Sequence, residues 1–597
     1  MVEQPVTPAL SDSPQPATAP RRSPQFPAEP RLWPAKLVLG LQLGTLIVSL
    51  TPSINNIVRF QFMMLGPFVC LLLFTVWLFA FSRLRWRQSL TILIAVGAGA
   101  VLASQFMDPS MAVPMWIYGV PLAMAAILLG LQWNSRGNTV RGTVVATVLA
   151  SLIWGLVPLF RLEGFAGDYS PELSWRWSLS REQPRMETTD RTAISTPSSV
   201  GMSLGEPADS DWPGFRGSHF NSRAPGRFAE LDWRTDPPWI LWKTPIGPGW
   251  SSFASVAGRL FTQEQRGDFE VVSCRDGATG QVIWADEHAT RFSDVVAGAG
   301  PRATPTYRNG RLFTFGAKAV LSAFDASTGA LYWRHDLMTE VNAALPVWGF
   351  ASSPTVVGDA VIVYAGGPGD NGLVAYHAVT GEPLWRRPQQ GMNFGSAQPV
   401  SIDGREMVLF STVSGLDALD PATGELIWQY SPTRWSGPIV CQPQQIGTNS
   451  LIVPLGDGVG VARLEVTMNA GQWGITEQWS SSHLKPSFND FVYHDGHLYG
   501  FDQNIFACVD ATNCKRQWKQ GRFGFGQVVL LPEANRLIVT SEQGEIVLLA
   551  TDPTAYRELG RFAAITGKTW NHPCVAGGTL FVRNGSQAVA IELTPGK

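Results

Sequence analysis

An eleven-residue pattern recurs in the second half of this chain and constrains its fold more than any other feature. Its first residue is small, its third is usually Asp, its seventh is usually Gly and its last is always Trp. The copies read CRDGATGQVIW at 274–284, AFDASTGALYW at 323–333, AYHAVTGEPLW at 375–385 and ALDPATGELIW at 418–428, with a degraded copy, CVDATNCKRQW, at 508–518. Self-similarity at a period of about 40–50 residues indicates a repeat architecture, and a propeller when the units are made of strands.

Each repeat reads as four strands. Residues 353–367 show two β-rich runs separated by a Gly-Asp turn, and residues 372–385 supply two more. The seventh motif residue lies where the chain reverses, and Gly tolerates the positive φ of such a turn. We expect the final Trp to lie on the outermost strand and to fill the wedge between neighbouring units. The predicted docking residues are Trp242, Trp284, Trp333, Trp385, Trp428, Trp479 and Trp518.

The number of units is eight. Six end at a docking Trp, a seventh covers 523–563 without one, and the eighth, 570–594, has only three strands of its own. We predict that the strand at 239–247 supplies the missing one, because such closure leaves no free sheet edge. The predicted fold is an N-terminal all-α membrane bundle followed by an all-β eight-bladed propeller over 211–597.

Five apolar stretches precede the repeats, each near the ~20 residues needed to cross a bilayer. They lie near 37–54, 62–82, 89–106, 111–131 and 142–160. We predict a five-helix transmembrane region over 34–161, with the lipid bilayer as its partner. A disordered cytoplasmic tail is predicted over 1–33 and a flexible linker over 162–210. The sequence DWPGFRG at 211–217 is expected to pack against the propeller surface.

The distribution of Arg predicts the orientation of the spans. Positive loops stay in the cytoplasm, and the loops after the second and fourth spans carry Arg83, Arg85, Arg87, Arg136 and Arg141. The loop after the third span holds Asp108 and no basic residue. Arg59, in the predicted outer loop after the first span, is a minor exception to this pattern. The chain is therefore predicted in the cytoplasmic (inner) membrane, with its N-terminus in the cytoplasm and its propeller in the periplasm or extracytoplasmic space.

Composition and short motifs exclude several classes of function. A net charge of −2 with 15% charged residues gives no basic footprint, so no nucleic acid partner is predicted. The six cysteines form no CxxC or CxxCH, and whether Cys508 and Cys514 are bonded across a hairpin stays open. His494 and His497 flank a predicted turn and are interpreted as an exposed hairpin tip. No catalytic or metal-ligating residue is predicted.

The segments that enter the innermost strands face the central funnel and carry polar residues that do not repeat from blade to blade. Such groups could converge on a small ligand. The alternative is that they form hydrogen bonds with the blade tops or with channel water. The candidate funnel residues are Arg302, Trp348, Asn393, Lys485, Asn489, Asp490, Trp570, Asn571 and His572.

The motif A-x-D-x-x-T-G-x-x-x-W resembles the tryptophan-docking repeat of quinoprotein dehydrogenases and of the assembly lipoprotein BamB. Through DWPGFRG, GPRATPT, WGFASSPTV, LKPSFNDFVYHDGHLYGFD and KTWNHPCVAGGTLFVRNG the chain also resembles the PQQ-binding-like β-propeller repeat proteins of planctomycetes. The chain departs from this pattern at Cys514, which replaces the turn Gly, and at His377, which replaces the usual Asp.

The resemblance implies a membrane-anchored extracytoplasmic propeller that acts as a binding or scaffolding module, with an envelope protein as its partner. The alternative that it implies is a PQQ-dependent quinoprotein dehydrogenase, with PQQ and Ca²⁺, that passes electrons to membrane quinone. Its layout of five spans and an outward propeller resembles membrane-bound glucose dehydrogenase. Ca²⁺ would need about 6–8 oxygen ligands, and the candidate funnel residues offer one carboxylate, Asp490.

Overall fold

The computed structural model describes residues 30–51, 54, 56–133, 139–167, 169–178, 204–226, 228, 231–389, 391–437 and 439–593. Of the predicted tail over 1–33, residues 1–29 lie outside the described residues, and so does 179–203 of the predicted linker. The chain forms two compact units. One contains Met1–Gly44, Leu65–Phe106 and Met115–Pro158, and the other contains Thr45–Met64, Met107–Pro114 and Leu159–Lys597.

Five helical stretches in the described part of the chain are long and apolar enough to cross a membrane, which confirms the five helices predicted from the sequence. They are Trp33–Leu50, Val58–Phe81, Trp86–Phe106, Pro109–Trp133 and Thr139–Leu159. Their regular α-helical parts are Trp33–Leu50, Asn56–Val76, Trp86–Phe106, Ala112–Pro114, Val120–Trp133 and Thr139–Leu156. Tighter or wider turns complete them at Trp77–Phe81, Pro109–Met111, Met115–Gly119 and Val157–Leu159.

Small residues let the helices of the first unit pack closely. A Cβ on Gly130 would lie 2.4 Å from the backbone of Ala146 on the next helix. The Trp154 side chain fills the space beside Gly119 and Gly99, where a Cβ would meet the indole at 2.9 and 3.2 Å. Close approach at Gly and Ala is typical of helix pairs in lipid, where van der Waals packing drives association.

The second unit contains eight four-stranded antiparallel sheets among its described residues, which confirms the eight-bladed propeller. From the innermost strand outward, blades 1 to 4 are Ala254–Val256, Arg259–Arg266, Phe269–Asp276 and Val282–Ala289; Thr306–Arg308, Arg311–Phe315, Val320–Asp325 and Leu331–Asp336; Thr355–Val357, Ala360–Tyr364, Leu373–His377 and Pro383–Arg387; Gln398–Ile402, Arg405–Ser411, Leu416–Leu419 and Leu426–Tyr430. Blades 5 to 8 are Gln444–Gln445, Ser450–Pro454, Val461–Asn469 and Gln472–Ser481; Phe491–His494, His497–Asp502, Ile505–Asp510 and Arg516–Arg522; Gln527–Leu531, Arg536–Thr540, Glu545–Ala550 and Glu558–Ala563; Cys574–Ala576, Thr579–Arg583, Gln587–Glu592 and Trp239–Pro245.

Burial within a blade follows the position of the strand. The second strand of blade 3, Ala360–Tyr364, is buried along its whole length because neighbouring blades cover both of its faces. On the outermost strand, Pro383–Arg387, only Trp385 is buried. The apolar runs of the second strands and the single Trp of the last strand therefore carry the packing between blades.

Four docking Trp residues lie on the turn Gly of the following blade. A Cβ on Gly424 would lie 2.6 Å from the Trp385 indole, whose Nε1 donates a hydrogen bond of 3.0 Å to Pro421 O. The same contact joins Trp242 to Gly280, Trp284 to Gly329 and Trp333 to Gly381. The Gly is therefore needed for the Trp contact as well as for its positive φ.

The degraded copy changes this contact. Cys514 occupies the turn position at a φ of 54° and carries a Cβ where the other copies have none. Trp479 is the docking residue of the preceding blade, and its Nε1 has no hydrogen-bond acceptor among the described residues. By contrast, Trp518 Nε1 donates a hydrogen bond to Asp552 O at 2.8 Å. All six cysteines are free thiols, which answers the open question of Cys508 and Cys514.

The propeller closes between its last and first blades as the sequence predicts. The strand Trp239–Pro245 pairs antiparallel with Gln587–Glu592 and becomes the outermost strand of blade 8. Arg583 of blade 8 reinforces the closure, since its guanidinium donates to Thr262 Oγ1 at 2.6 Å and to Gly247 O at 2.8 Å.

The sequence DWPGFRG, which was expected to pack against the propeller surface, lies inside the propeller. Residues 212–224, the channel segment, form backbone hydrogen bonds with Ser255, Tyr307 and Leu530 of three innermost strands. Trp212 and Arg216 are 1% and 0% exposed. Each innermost strand has one edge whose backbone N–H and C=O groups have no partner strand. The channel segment forms hydrogen bonds with some of these groups, and its side chains fill the channel.

The predicted linker also begins differently. The strands Phe160–Phe165 and Pro171–Trp175 form an antiparallel hairpin. In its register Phe160 pairs with Trp175, and Phe165 pairs with Pro171. This hairpin, which we call the post-helix hairpin, belongs to the same compact unit as the propeller. Three shorter elements complete the described fold: the strand pair Ser293–Asp294 and Gly298–Ala299, and the helical turn Leu337–Glu340.

Candidate binding site on the funnel face

One end of the propeller, the funnel face, collects the segments that lead into the innermost strands. Neighbouring strands in a blade run antiparallel, so the loop between the second and third strands lies at this end too. All nine candidate residues from the sequence precede an innermost strand and therefore lie at the funnel face. Their hydrogen bonds place them in different surroundings and do not direct them toward one common ligand.

Asp490 and His572 lie at the centre and contact the channel segment. Arg216 Nε is 2.5 Å from Asp490 Oδ2, and both side chains are almost fully buried. Ser222 Oγ donates to Asp490 Oδ2 at 2.8 Å and lies 2.9 Å from His572 Nε2. Burial acts to raise the pKa of Asp490, but the charge of Arg216 and the hydrogen bonds of His572 and Ser222 outweigh it and hold this pKa below its ordinary value.

A Ser, a His and an Asp in contact invite comparison with a catalytic triad, but the geometry is different. In a triad the Asp accepts a hydrogen bond from the ring nitrogen that does not face the Ser. Here His572 Nδ1 lies 2.8 Å from Pro573 O, and Asp490 shares the Nε2 side of the ring with Ser222. The three groups are buried at 5% exposure or less, so this network fixes the channel segment.

The polar residues around the centre bind their own loops or neighbouring blades. Asn571 Nδ2 donates to Gly249 O and Ser251 O at 3.0 and 2.8 Å. The remaining contacts are Asn489 Nδ2 to Gln503 O at 3.1 Å, Asn393 Nδ2 to Ser411 O, and Lys485 Nζ to Asp502 Oδ1 at 3.0 Å. These contacts agree with the alternative, stated from the sequence, that such residues join the blade tops.

Arg302 connects blades 1 and 3. Its guanidinium pairs with Asp294 and donates to Trp348 O at 2.8 Å and to Gly298 O at 2.9 Å. The guanidinium also lies 4.6 Å from the centre of the Phe292 ring. Arg302 thus positions the backbone of Trp348, while the Trp348 side chain remains 41% exposed.

The post-helix hairpin covers the funnel face above blades 1, 7 and 8, which we call the covered sector. Lys568 Nζ donates to Phe165 O at 2.8 Å and to Val296 O at 3.1 Å. Gly167 N donates to Glu542 Oε1 at 2.6 Å, and the same carboxylate oxygen accepts from Trp570 Nε1 at 2.8 Å. Candidate Trp570 therefore holds the cover in place through Glu542.

A cavity of about 600 Å³ lies where this cover meets blades 1 and 8. Its wall contains Trp250 and several charged side chains. Some of these form ion pairs within the chain: Arg161 pairs with Glu163 at 2.7 Å, and Asp294 pairs with Arg302. The volume suits a small ligand, but the pairing of these charges leaves no set of groups that selects one ligand class.

The funnel face between blades 3 and 4 is different, and we call it the open sector. A second cavity of about 520 Å³ lies there, lined by Asn342, Ala344, Gly366, Gly367, Pro368, Gly369, Asp370, Pro388, Gln389 and Gly391. Large apolar side chains that do not line this cavity are exposed in the neighbouring parts of the loops. These side chains, with the exposed fraction of each, are Leu345 41%, Val347 60%, Trp348 41%, Met392 39% and Val413 43%. The Trp348 ring lies 4.9 Å from that of Phe394, so the two loops form one surface.

Trp348 was among the candidates predicted from the sequence, but its apolar neighbours were not. The signal in the sequence was the apolar run Leu345-Pro346-Val347-Trp348 within a loop. Contiguous exposed apolar side chains on a soluble surface are characteristic of interaction sites.

The residues of the channel do not fit Ca²⁺-bound PQQ. No group of three or more His, Cys, Asp or Glu side chains that could hold a metal ion occurs among the described residues. The one carboxylate of the candidate set, Asp490, is paired with Arg216, and the channel segment occupies the space beside it.

Comparisons with known proteins agree with the fold. Residues 268–437 match the model of a family described as outer membrane protein assembly factor BamB. This match confirms the resemblance to quinoprotein-like and BamB-like repeats stated from the sequence. The chain is thus an eight-bladed propeller with BamB-like repeats, joined to five helices that are apolar enough to cross a membrane.

Solved structures give distant likenesses. BamB from Moraxella catarrhalis is 16% identical, with a TM-score of 0.44, over 60% of this chain and 99% of that one. A quinohemoprotein alcohol dehydrogenase from Pseudomonas putida HK5 is 13% identical, with a TM-score of 0.39, over 65% and 81%. The computationally designed Ika8 protein is 10% identical, with a TM-score of 0.40, over 58% and 98%. The search of curated proteins found no match.

Proposed function

We propose that this chain is a membrane-anchored, extracytoplasmic binding module whose propeller binds a protein of the cell envelope through the open sector. The observation that carries this proposal is the joint exposure of Leu345, Val347, Trp348, Met392 and Val413 in neighbouring loops of the funnel face. Their area is apolar and includes a Trp and a Met, which are residue types enriched in the cores of protein interfaces.

The interior of the propeller supports binding over catalysis. Its central polar groups are paired with the channel segment and have no access to a substrate. The matched family model adds a second line of support, because its description names an assembly factor of outer membrane proteins. A scaffolding role needs a rigid frame and an accessible surface, and the eight docked blades provide the frame.

Anchoring and orientation are part of the proposal. Five apolar helices precede the propeller, and the basic loops follow the second and fourth. The loops after the first and third helices lie within Thr45–Met64 and Met107–Pro114. These segments belong to the same compact unit as the propeller. Arg59 is a basic residue in a loop that the positive-inside rule assigns to the outside. Its side chain is buried and donates a hydrogen bond to Ser49 O at 2.8 Å, so it is not a freely exposed loop charge.

Site-specific photocrosslinking of the full-length protein in its native membrane tests the binding surface. A photoreactive residue replaces Val347 in the open sector, and the matched control replaces Val379, which is 53% exposed at the opposite end of blade 3. We expect one reproducible protein adduct from position 347 and none from position 379. Equal adducts at both positions, or lipid adducts alone at 347, would contradict the proposal.

A separate fusion tests the orientation. A reporter attached after Lys597 that is active only outside the cytoplasm is expected to be active in whole cells, because an odd number of spans follows a cytoplasmic N-terminus. A reporter that works only in the cytoplasm would overturn the orientation while leaving the open sector as a binding surface.

A further inference from the structure

The post-helix hairpin carries exposed apolar side chains on its second strand, although Leu162 and Phe165 of its first strand are buried. Alternate residues of its second strand and the following turn, Leu173, Trp175 and Trp177, are 46%, 48% and 70% exposed. The rings of Phe160, Trp175 and Trp177 form a stacked row, with centroid distances of 4.6 and 5.1 Å. Alternation on a strand places such residues on one side of the hairpin.

The other face of the hairpin is polar and paired. Glu163 Oε1 accepts hydrogen bonds from Arg161 Nε and from Ser174 Oγ, both at 2.7 Å. The hairpin is therefore amphipathic across its thickness, with charge and hydroxyl groups on one side and indole rings on the other. Trp side chains combine a large apolar ring with one N–H donor, which suits the boundary between hydrocarbon and water.

The position of the hairpin in the chain indicates what covers the aromatic row. The last apolar helix ends at Leu159, and Phe160 is the next residue. Because Phe160 stacks on Trp175, the row starts at the residue that directly follows that helix in the chain. If the helix spans the bilayer, as proposed above, the row lies at the depth of the lipid headgroups.

We propose that Leu173, Trp175 and Trp177 insert into the interfacial layer of the bilayer and anchor the hairpin there. The inference rests on the proposed membrane anchoring and adds a lipid contact to it. Phe165 and Gly167 of the same hairpin bond to Lys568 and Glu542 of the propeller. The lipid contact therefore holds the covered sector at the membrane and leaves the open sector for the partner.

Nitroxide accessibility in lipid nanodiscs tests this contact on the full-length protein. Cys is introduced singly as Trp177→Cys, as the matched control Trp239→Cys on the outermost strand of blade 8, and as Leu129→Cys within a candidate span. Trp177 and Trp239 are 70% and 72% exposed, and Leu129 is 62% exposed. The six native thiols are buried, so labelling is directed to the introduced Cys. Collision with lipid-soluble oxygen and with a water-soluble nickel complex is then measured at each label.

We expect the label at 177 to collide several-fold less with nickel than the label at 239, and to collide more with oxygen. A label at 177 that nickel reaches as freely as at 239, with Leu129→Cys still in lipid, would overturn the interfacial anchor alone. A label at 177 screened from both reagents would place protein over the row and also overturn it. A label at 129 that nickel reaches freely would contradict the membrane anchoring itself.

Discussion

The channel and the open sector of the same propeller differ in the burial and pairing of their side chains. In the channel, Arg216, Ser222, Asp490 and His572 are buried and bind one another. In the open sector, apolar side chains such as Val347 are exposed to solvent. The channel pairs its charged groups within the chain, whereas the open sector exposes apolar groups that can contact another molecule.

The difference separates stability from binding in this fold. A buried ion pair makes the fold sensitive to the loss of either member, because the remaining charge stays buried without its counter-charge. An exposed apolar surface contributes little to the fold, because its side chains gain almost no burial on folding. We therefore expect substitutions in the channel to change the free energy of unfolding, and substitutions in the open sector to change affinity for the partner.

The largest effect is expected at the central ion pair. Asp490→Ala leaves the buried Arg216 guanidinium without its carboxylate, which costs about 3–5 kcal/mol of unfolding free energy. Denaturant unfolding of the full-length protein, followed by Trp fluorescence, measures the loss. The double variant Arg216→Met with Asp490→Ala is the control, and it should recover much of the stability because no unpaired charge remains. A loss within about 0.5 kcal/mol for the single variant, as for an ordinary surface site, would contradict the role of the pair.

The next effect concerns a buried acid that lies between the channel and the rim. Burial raises the pKa of Glu270 to about 7, and the Ala317 N–H at 3.0 Å with the charges of Arg302 and Lys318 offsets only part of this. Between its ordinary value of 4.5 and about 7, the folded chain keeps a proton that the unfolded chain has lost. The free energy of unfolding should therefore fall as pH rises through this interval, by about 3 kcal/mol in total.

Glu270→Gln isolates this contribution because it removes the titration and keeps the shape. Unfolding of the wild type and the variant at pH 5 and pH 8, two values that we choose on either side of the transition, gives the difference. We expect the variant to gain stability over the wild type as the pH rises. Parallel stability curves for the two proteins would show that Glu270 titrates normally.

The repeat pattern predicted the blades because it encodes local geometry. Each turn Gly and docking Trp acts within one blade or on its neighbour, as Trp385 does on Gly424, so the number of blades and their closure follow from spacing. The channel segment could not be predicted in the same way. Arg216 and Asp490 lie 274 residues apart, since 490 − 216 = 274, and only the closed ring brings them together.

The candidate residues illustrate the same limit. The sequence placed Trp570, Asn571 and His572 at the funnel, and the structure places them there, but their hydrogen-bond partners come from other blades and from the hairpin. The linker prediction rested on composition, which favours flexibility over 183–211 but carries no sign of the hairpin at its start. Contacts between distant segments decide whether a polar residue binds a ligand or its own chain.

A matched pair of glycines in blade 4 tests how much the docking contact contributes. Gly424 and Gly404 have φ values of 72° and 75°, but a Cβ on Gly424 meets Trp385 at 2.6 Å and a Cβ on Gly404 meets nothing within 4 Å. Gly404→Ala should cost about 1 kcal/mol for the left-handed backbone. Gly424→Ala should cost about 2 kcal/mol more because the indole must move. Equal losses in denaturant unfolding would show that the turn, and not the Trp contact, requires Gly.

The smallest effect on stability and the sharpest test of the comparison lie in the open sector. Val347→Asp places a charge in the proposed interface, and Val379→Asp places the same charge at the far end of blade 3, where Val is similarly exposed. Both variants should unfold within about 0.5 kcal/mol of the wild type, because neither side chain is buried. Once photocrosslinking has identified the partner, titration of the purified partner should show affinity at least tenfold weaker for Val347→Asp alone, equivalent to about 1.4 kcal/mol. If both variants bind equally well, the exposed apolar surface between blades 3 and 4 is not the binding site, and the contrast with the channel does not report function.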